Sequence, residues 1–292
     1  MEVNDIETFQ ADSDTVKSHY TSNKNYIIEH DEANEKEYCI IYFSSNDLYF
    51  PNSVDAFTES IIKKNRYEWY KNRINKGHKH IFIRDIKKQW YLSGINGEID
   101  SPPKLLNFLR RETIGYKIIT IGSSAGGFMA VLAGQMLGAE TTLSFNGQFE
   151  IASLLKTSSI SIDPLVFRNQ NSESLYPFYD VNNFIARPES IFYFYSNKSK
   201  WDCEQYEHSI KHKMNVIAFS TSNHGIPFLK SNLPLIINLE NSELLAISGN
   251  TYHPLKFSMR MVGLVSTIKG IYSIVNYVFK KVYINLGRKK PG

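Results

Sequence analysis

Cysteine is scarce in this chain: two among 292 residues, Cys39 in an apolar strand-like run and Cys203 in a polar helical one. Two such positions make no disulfide framework, and both read as free thiols of a reducing compartment. The first ten residues are acidic and polar, without a basic n-region or an apolar h-region. No secretory signal is therefore expected, and a cytoplasmic location follows. Neither G-x-x-x-x-G-K-[ST] nor G-x-G-x-x-G occurs, which leaves no ordinary nucleotide-phosphate loop. Acidic residues stop at Glu243, whereas eight of the 33 basic ones follow it, from Lys256 to Lys290. The formal net charge of +4 thus belongs to the C-terminal tail, and residues 1–243 are net acidic, which argues against nucleic-acid binding by the main domain.

What is present is a full core. Hydrophobic residues make up 42% of the chain, enough at this length for one large domain. Strand-like segments are expected at 25–30, 38–43, 80–84, 117–122, 141–146, 191–196 and 215–220, with helical ones at 54–65, 103–112, 125–137, 202–214 and 228–239. This alternation predicts an α/β fold, a mostly parallel sheet with helices on both faces. Residues 1–20 read as a loose polar arm, 21–245 as the main domain, and 246–292 as a basic tail. The segment 147–189 breaks the rhythm with Asp163-Pro164, Tyr176-Pro177 and Arg187-Pro188, and is expected to be an inserted cap or lid.

The run from Ile118 to Gly134 reads as a buried strand, a tight turn of small residues and a helix. Inside it Gly122-Ser123-Ser124-Ala125-Gly126 fits G-x-S-x-G, a turn that lifts a nucleophilic Ser124 clear of the sheet. Its neighbours two residues away must be small, and the Ala125 N–H at the helix start is placed to stabilise an oxyanion. The alternative is a Gly/Ser-rich turn that only packs a helix on a strand, with or without a bound phosphate.

A nucleophilic serine needs a base, and the base an orienting acid. Past the strand at 215–220 lies His224 beside Gly225, the expected base; past the strand at 191–196 lies Asp202, the expected acid, with Glu204 and Asp163 as alternates. Asp202 also suits a helix N-cap. A second oxyanion donor is expected from the loop after 38–43, the backbone N–H of Ser44 or Ser45. His208 and His212 have i,i+4 spacing suited to a shared metal, but Glu207 and Lys211 beside them indicate an exposed helical face, so no metal is expected.

With these residues in place, 21–243 resembles the α/β-hydrolase superfamily. The stretch Ile83-Arg84-Asp85 with Trp90-Tyr91 and Gly94 is similar to a bacterial set of hydrolase-like proteins linked to surface-polysaccharide and glycoprotein biosynthesis. That resemblance implies an esterase or a glycan O-acetyltransferase working through an acyl-enzyme, with acyl-CoA as a donor only in the transferase case and no other cofactor. A non-catalytic accessory protein of a glycan assembly complex is the alternative. Arg84, Asp85 and Trp90 are expected to brace the loop beside the active site through an ion pair and packing. The chain departs from lipases in lacking a glycine-rich HGGG-type oxyanion loop, having Phe43-Ser44-Ser45-Asn46 instead.

From Pro254 a helical period places Phe257, Met261, Leu264, Val265, Ile268, Ile271, Tyr272, Val275, Phe279 and Val282 on one face, with Lys256, Arg260, Thr267, Ser273, Asn276, Lys280 and Lys281 outside it. The longest uncharged run there, 270–279, is far short of the roughly 20 residues of a membrane span. A basic amphipathic helix over 254–290 is expected to lie on an anionic membrane surface, near the cytoplasmic leaflet.

Overall fold

Nearly continuous burial along the central strands marks a sheet covered on both faces. The structure, a computed structural model, describes residues 6–287, with side chains to Tyr272 and that of Val275. Residues 1–5 of the expected arm, Arg288, Lys289 and Lys290, and the side chains of Ser273, Asn276, Phe279, Lys280, Lys281 and Val282 lie outside that description. The strands are β1 (Tyr26–His30), β2 (Tyr38–Phe43), β3 (Gly77–Ile83), β4 (Lys117–Ser123), β5 (Thr141–Phe145), β6 (Ile191–Ser196), β7 (Asn215–Phe219) and the short β8 (Thr251–Tyr252). They form one sheet in the order β1-β3-β2-β4-β5-β6-β7-β8, and all pairs are parallel except β1 with β3.

Successive strand side chains point to opposite faces. In β2, Cys39, Ile41 and Phe43 join one core with the helices Pro102–Glu112 and Ala125–Leu137. Ile40 and Tyr42 join the other, with Ile236, Ile237, Leu244 and Phe257 from the C-terminal part. The fold is therefore the expected α/β-hydrolase type, a mostly parallel sheet with helices on both faces. The central position of β4 brings its C-terminal end, and Ser124 beyond it, to the edge where the β5, β6 and β7 loops also emerge.

The helix expected over 228–239 is only a turn, Lys230–Asn232, and the short helix Leu233–Ile236, and three boundaries differ from the sequence reading. The expected loose arm contains two helices, Phe9–Asp12 and Asp14–Ser22, the second capped by the Ser13 side chain accepting from the Val16 N–H. Val16 and Tyr20, one helical turn apart, are buried with Leu48, Tyr49, Phe57, Ile61 and Ile86. Polarity alone concealed this apolar stripe. Asp12 also takes two hydrogen bonds from the Arg168 guanidinium, at 2.8 and 2.7 Å.

The tail begins inside the main body rather than after it. Thr251–Tyr252 extends the sheet beside β7, and Phe257 is buried against Phe219, Phe228 and Tyr252. The helix Pro254–Gly287 is broken at Gly263, whose φ of 79° lies outside the helical region. Beyond the break Gly270 meets Ser231, while Leu264, Val265, Ile268, Ile271, Tyr272 and Val275 are exposed.

The segment expected as a cap is a chain of short helical turns that sends Phe149, Ile151, Val166, Tyr179 and Val181 into the first core. It packs toward the N-terminal helices, where the Gln10 side chain donates to Ile162 O at 2.9 Å.

Candidate active site

Steric exclusion creates the turn at Ser124. The residue has φ 53° and ψ −124°, a conformation that costs a non-glycine residue about 1–3 kcal/mol and persists only where its surroundings enforce it. The Ser124 N–H donates to Phe145 O at 2.9 Å, and its carbonyl accepts the Phe128 N–H at 3.0 Å. A Cβ on Gly122 would lie 2.1 Å from Gly126 O, and one on Gly126 would lie 2.3 Å from Phe43 O. The small residues of the motif are thus required by backbone meeting backbone. At the start of the following helix the Ala125 N–H has no hydrogen-bond partner among the described residues, as an oxyanion donor requires.

Ser124, His224 and Asp202 come together from three loops. Ser124 Oγ lies 2.8 Å from His224 Nε2, and His224 Nδ1 lies 2.8 Å from Asp202 Oδ1. A carboxylate only accepts, so Nδ1 carries the proton and Nε2 is left to accept from the serine hydroxyl. Asp202 is 1% exposed, and it is not the helix N-cap, because Ser199 caps the helix Lys200–Ser209 and accepts from the Asp202 N–H. The Trp201 ring stacks on His224 at 5.2 Å between centroids. The loop that carries His224 is pinned from two strand ends: Asn146 Nδ2 donates to Asn223 O and Gly225 O, and Ser196 Oγ donates to Asn223 O. Asp202 Oδ2 and the Tyr193 hydroxyl are both buried without a partner among the described residues.

The expected second donor is corrected by the hydrogen-bond pattern. The Ser44 N–H is already committed to Ile83 O of β3 at 3.0 Å, so it continues the sheet instead of serving the site. The Ser45 N–H donates to Glu68 Oε2 at 2.6 Å. The sequence carries no sign of either partner. Burial pushes the Glu68 carboxyl above the ordinary range, against the opposing effect of its bonds to Ser45.

The Arg84–Tyr91 stretch does brace the site, but not through the expected ion pair. Arg84 donates to Asn25 Oδ1 and Arg66 O and lies over the Tyr67 ring, and no Arg84–Asp85 bridge forms among the described residues. Asp85 instead gathers the N–H groups of Lys87, Gln89 and Tyr91 at 3.0, 2.7 and 2.9 Å. Held in this way, the Tyr91 hydroxyl donates to Ser44 O at 2.7 Å, and Trp90 Nε1 donates to Gln148 Oε1 at 3.0 Å. Gln148 Nε2 then donates to Asn146 O and lies 3.5 Å from Ser124 Oγ. Gln148 and Glu68 are site residues the sequence reading missed. The only signal for Gln148 is a polar side chain just past a strand end, and Glu68, in the loop between Lys63 and Gly77, carries none.

The alternates are elsewhere. Glu204 pairs with Lys200, Asp163 accepts from the Ser158 hydroxyl, and His208 pairs with Asp180 at 2.9 Å. No group of three metal-ligating side chains is present among the described residues. A cavity of about 370 Å³ opens at Ser124, walled by Asn46, Asp47, Glu68, Asn223, His224 and Lys230. Gln148 apart, nothing from 147–189 reaches it.

No family model and no curated protein matches the chain. Among solved structures it is similar to a capsule O-acetyltransferase of Neisseria meningitidis serogroup A, with 12% identity, 67% of this chain and 82% of that chain covered, and a TM-score of 0.47. It is also similar to an S-formylglutathione hydrolase from Agrobacterium tumefaciens, with 11% identity, 77% and 90% covered, and a TM-score of 0.45. Esterase B of Lactobacillus rhamnosis aligns at 8% identity over 94% of this chain and 93% of that chain, with a TM-score of 0.40. By its own sheet order, its antiparallel edge strand and the turn at Ser124, the chain has an α/β-hydrolase-type fold.

Proposed function

We propose that the protein catalyses serine-dependent acyl transfer through an acyl-enzyme on Ser124, as an esterase or an O-acetyltransferase whose substrate is an ester or acylated glycan. The observation that carries this reading is the relay of two 2.8 Å contacts linking Ser124, His224 and Asp202. In the first half-reaction Ser124 Oγ bonds to the acyl carbon while its proton passes to His224 Nε2. The resulting imidazolium is stabilised by Asp202, and the oxyanion accepts from the Ala125 N–H. Collapse breaks the bond to the leaving group, which takes the proton from His224. Water or a sugar hydroxyl then repeats the sequence in reverse, giving up its proton to His224 and releasing Ser124. A polar cavity wall with Asp47, Asn46, Asn223 and Lys230 suits a hydroxyl-rich substrate better than a long acyl chain. The test is turnover of a short-chain aryl ester and of an acetylated sugar by the full chain and by Ser124→Ala. Turnover that disappears in the variant supports the reading; a folded native chain with neither turnover nor acyl-enzyme supports the accessory role instead.

We also infer that the helix Pro254–Gly287 docks on an anionic bilayer surface. Leu264, Val265, Ile268 and Ile271 are exposed along it, Lys256, Arg260 and Lys269 lie on the same segment, and no acidic residue follows Glu243. No helix among the described residues is long and apolar enough to cross a membrane. Sedimentation with phosphatidylglycerol vesicles but not phosphatidylcholine ones, weakened by salt and by Ile268→Asp with Ile271→Asp, is the expected result. Binding that ignores lipid charge would contradict it.

A further inference from the structure

Glu68 stands in the wall of the acyl-transfer cavity without a part in the relay. Its Oε2 accepts the Ser45 N–H at 2.6 Å, and its own N–H donates to Ser44 Oγ at 3.3 Å. The opposite edge of the same Ser44–Ser45 peptide, the Ser44 carbonyl, accepts the Tyr91 hydroxyl at 2.7 Å. In a trans peptide the N–H points away from the C=O, so Tyr91 and Glu68 together fix its direction. This peptide lies against the start of the Ser124 helix, where a Cβ on Gly126 would come within 3.0 Å of Ser44 C. The loop therefore presents the Ser45 N–H where this fold needs a second oxyanion donor, but a side-chain carboxyl already holds it.

Resting on the acyl-transfer reading, we propose that Glu68 is a positioning residue that controls this donor: ionised, it retains the Ser45 N–H, and neutral, it yields that N–H to the acyl oxygen of the substrate. An ionised carboxylate at this point also sets a negative charge beside the oxyanion as it forms, and like charges in a cavity wall disfavour one another. The charged groups around Glu68 are Arg66 and Asp47 from neighbouring turns, with His224 and Lys230 facing it across the cavity. Burial favours its neutral form and holds its titration above that of an ordinary carboxyl.

The experiment measures the rate of Ser124 labelling by a fluorophosphonate against pH, for the full-length wild type, Glu68→Gln and Glu68→Ala. The Ser45 amide is followed by ¹H–¹⁵N NMR in the same samples. The wild-type rate is expected to rise with pH through the general base and to carry a falling limb where Glu68 ionises and takes back the Ser45 N–H. Glu68→Gln keeps the rise, lacks the fall, and on the alkaline side exceeds the wild type by about tenfold. The Ser45 amide shifts through one titration in the wild type and not in either variant. A wild-type profile without the falling limb overturns the proposal, as does a Ser45 amide that does not titrate, and neither outcome depends on how the variants fold. No labelling at any pH, with a Ser45 amide that does titrate, contradicts the acyl-transfer reading itself and removes the oxyanion role with it.

Discussion

The two walls of the site are built in opposite ways. The wall that carries Ser124 is set by the chain's own neighbours: Gly122 and Gly126 lie within two residues of the serine, and any larger side chain there would collide with backbone. The facing wall, Ser44–Asp47, is set by side chains far along the chain, Tyr91 on the Ser44 carbonyl and Glu68 on the Ser45 N–H. The first wall is rigid because it has no room; the second is held by hydrogen bonds to Ile83, Glu68 and Tyr91, which a change of side chain or of charge can alter. Steric exclusion fixes Ser124 in one position, whereas a hydrogen-bonded N–H can change partner.

That difference predicts a graded response to substitution. Asp202→Asn leaves both walls standing but removes the orientation of His224, and is expected to lower turnover by about ten-thousand-fold with little change in melting temperature. An activity loss of tenfold or less would mean that another acid serves. Gly126→Ala attacks the rigid wall, and its Cβ would press on the Phe43 carbonyl and on Ser44 C, backbone that cannot swing aside, so urea unfolding should show a loss of about 3 kcal/mol together with lost Ser124 labelling. A fully stable, active Gly126→Ala would break the claim that sterics set this wall. Tyr91→Phe attacks the hydrogen-bonded wall. It leaves the Ser44 carbonyl without its partner and should cost about 2 kcal/mol, with a slower reaction at Ser124 and an intact elbow.

The smallest effect belongs to a region outside both walls. Arg168 beside Asp12 holds that carboxyl down at about 2, below its ordinary 3.8. A carboxylate with a lowered folded-state pKa stabilises the fold above its ordinary value, and that contribution disappears as pH falls toward the lowered one. The stability difference between wild type and Asp12→Asn should therefore be complete above pH 4 and fade toward pH 2. Because both side chains remain partly open to solvent, 18% and 19% exposed, it should amount to no more than about 1 kcal/mol. Activity at Ser124 should not change.

Legibility from sequence follows the same division. The seven main strands, the turn at Ser124 and the order Ser124, Asp202, His224 can all be read, because they depend on local pattern and on loops that follow strands. The turn after β2 was legible, but not whether its N–H groups are free, since that depends on Ile83 and Glu68, 39 and 23 residues distant from Ser44 and Ser45. The N-terminal helices escaped notice because one buried pair, Val16 and Tyr20, outweighs a polar composition. Asp85 reads as an ion-pair partner of Arg84, but as a neighbour in sequence it points to the other side of the strand end and collects backbone N–H groups instead.

The central claim is that Ser124 is activated by the relay to His224 and Asp202. The direct measurement is intact mass and peptide mapping of the full chain after reaction with a fluorophosphonate, beside Ser124→Ala and His224→Ala. A single adduct on Ser124, absent in the first variant and formed far more slowly in the second, is the predicted result. An adduct that persists in Ser124→Ala, or a folded native chain that forms none across the pH range of a neutral imidazole, would contradict it.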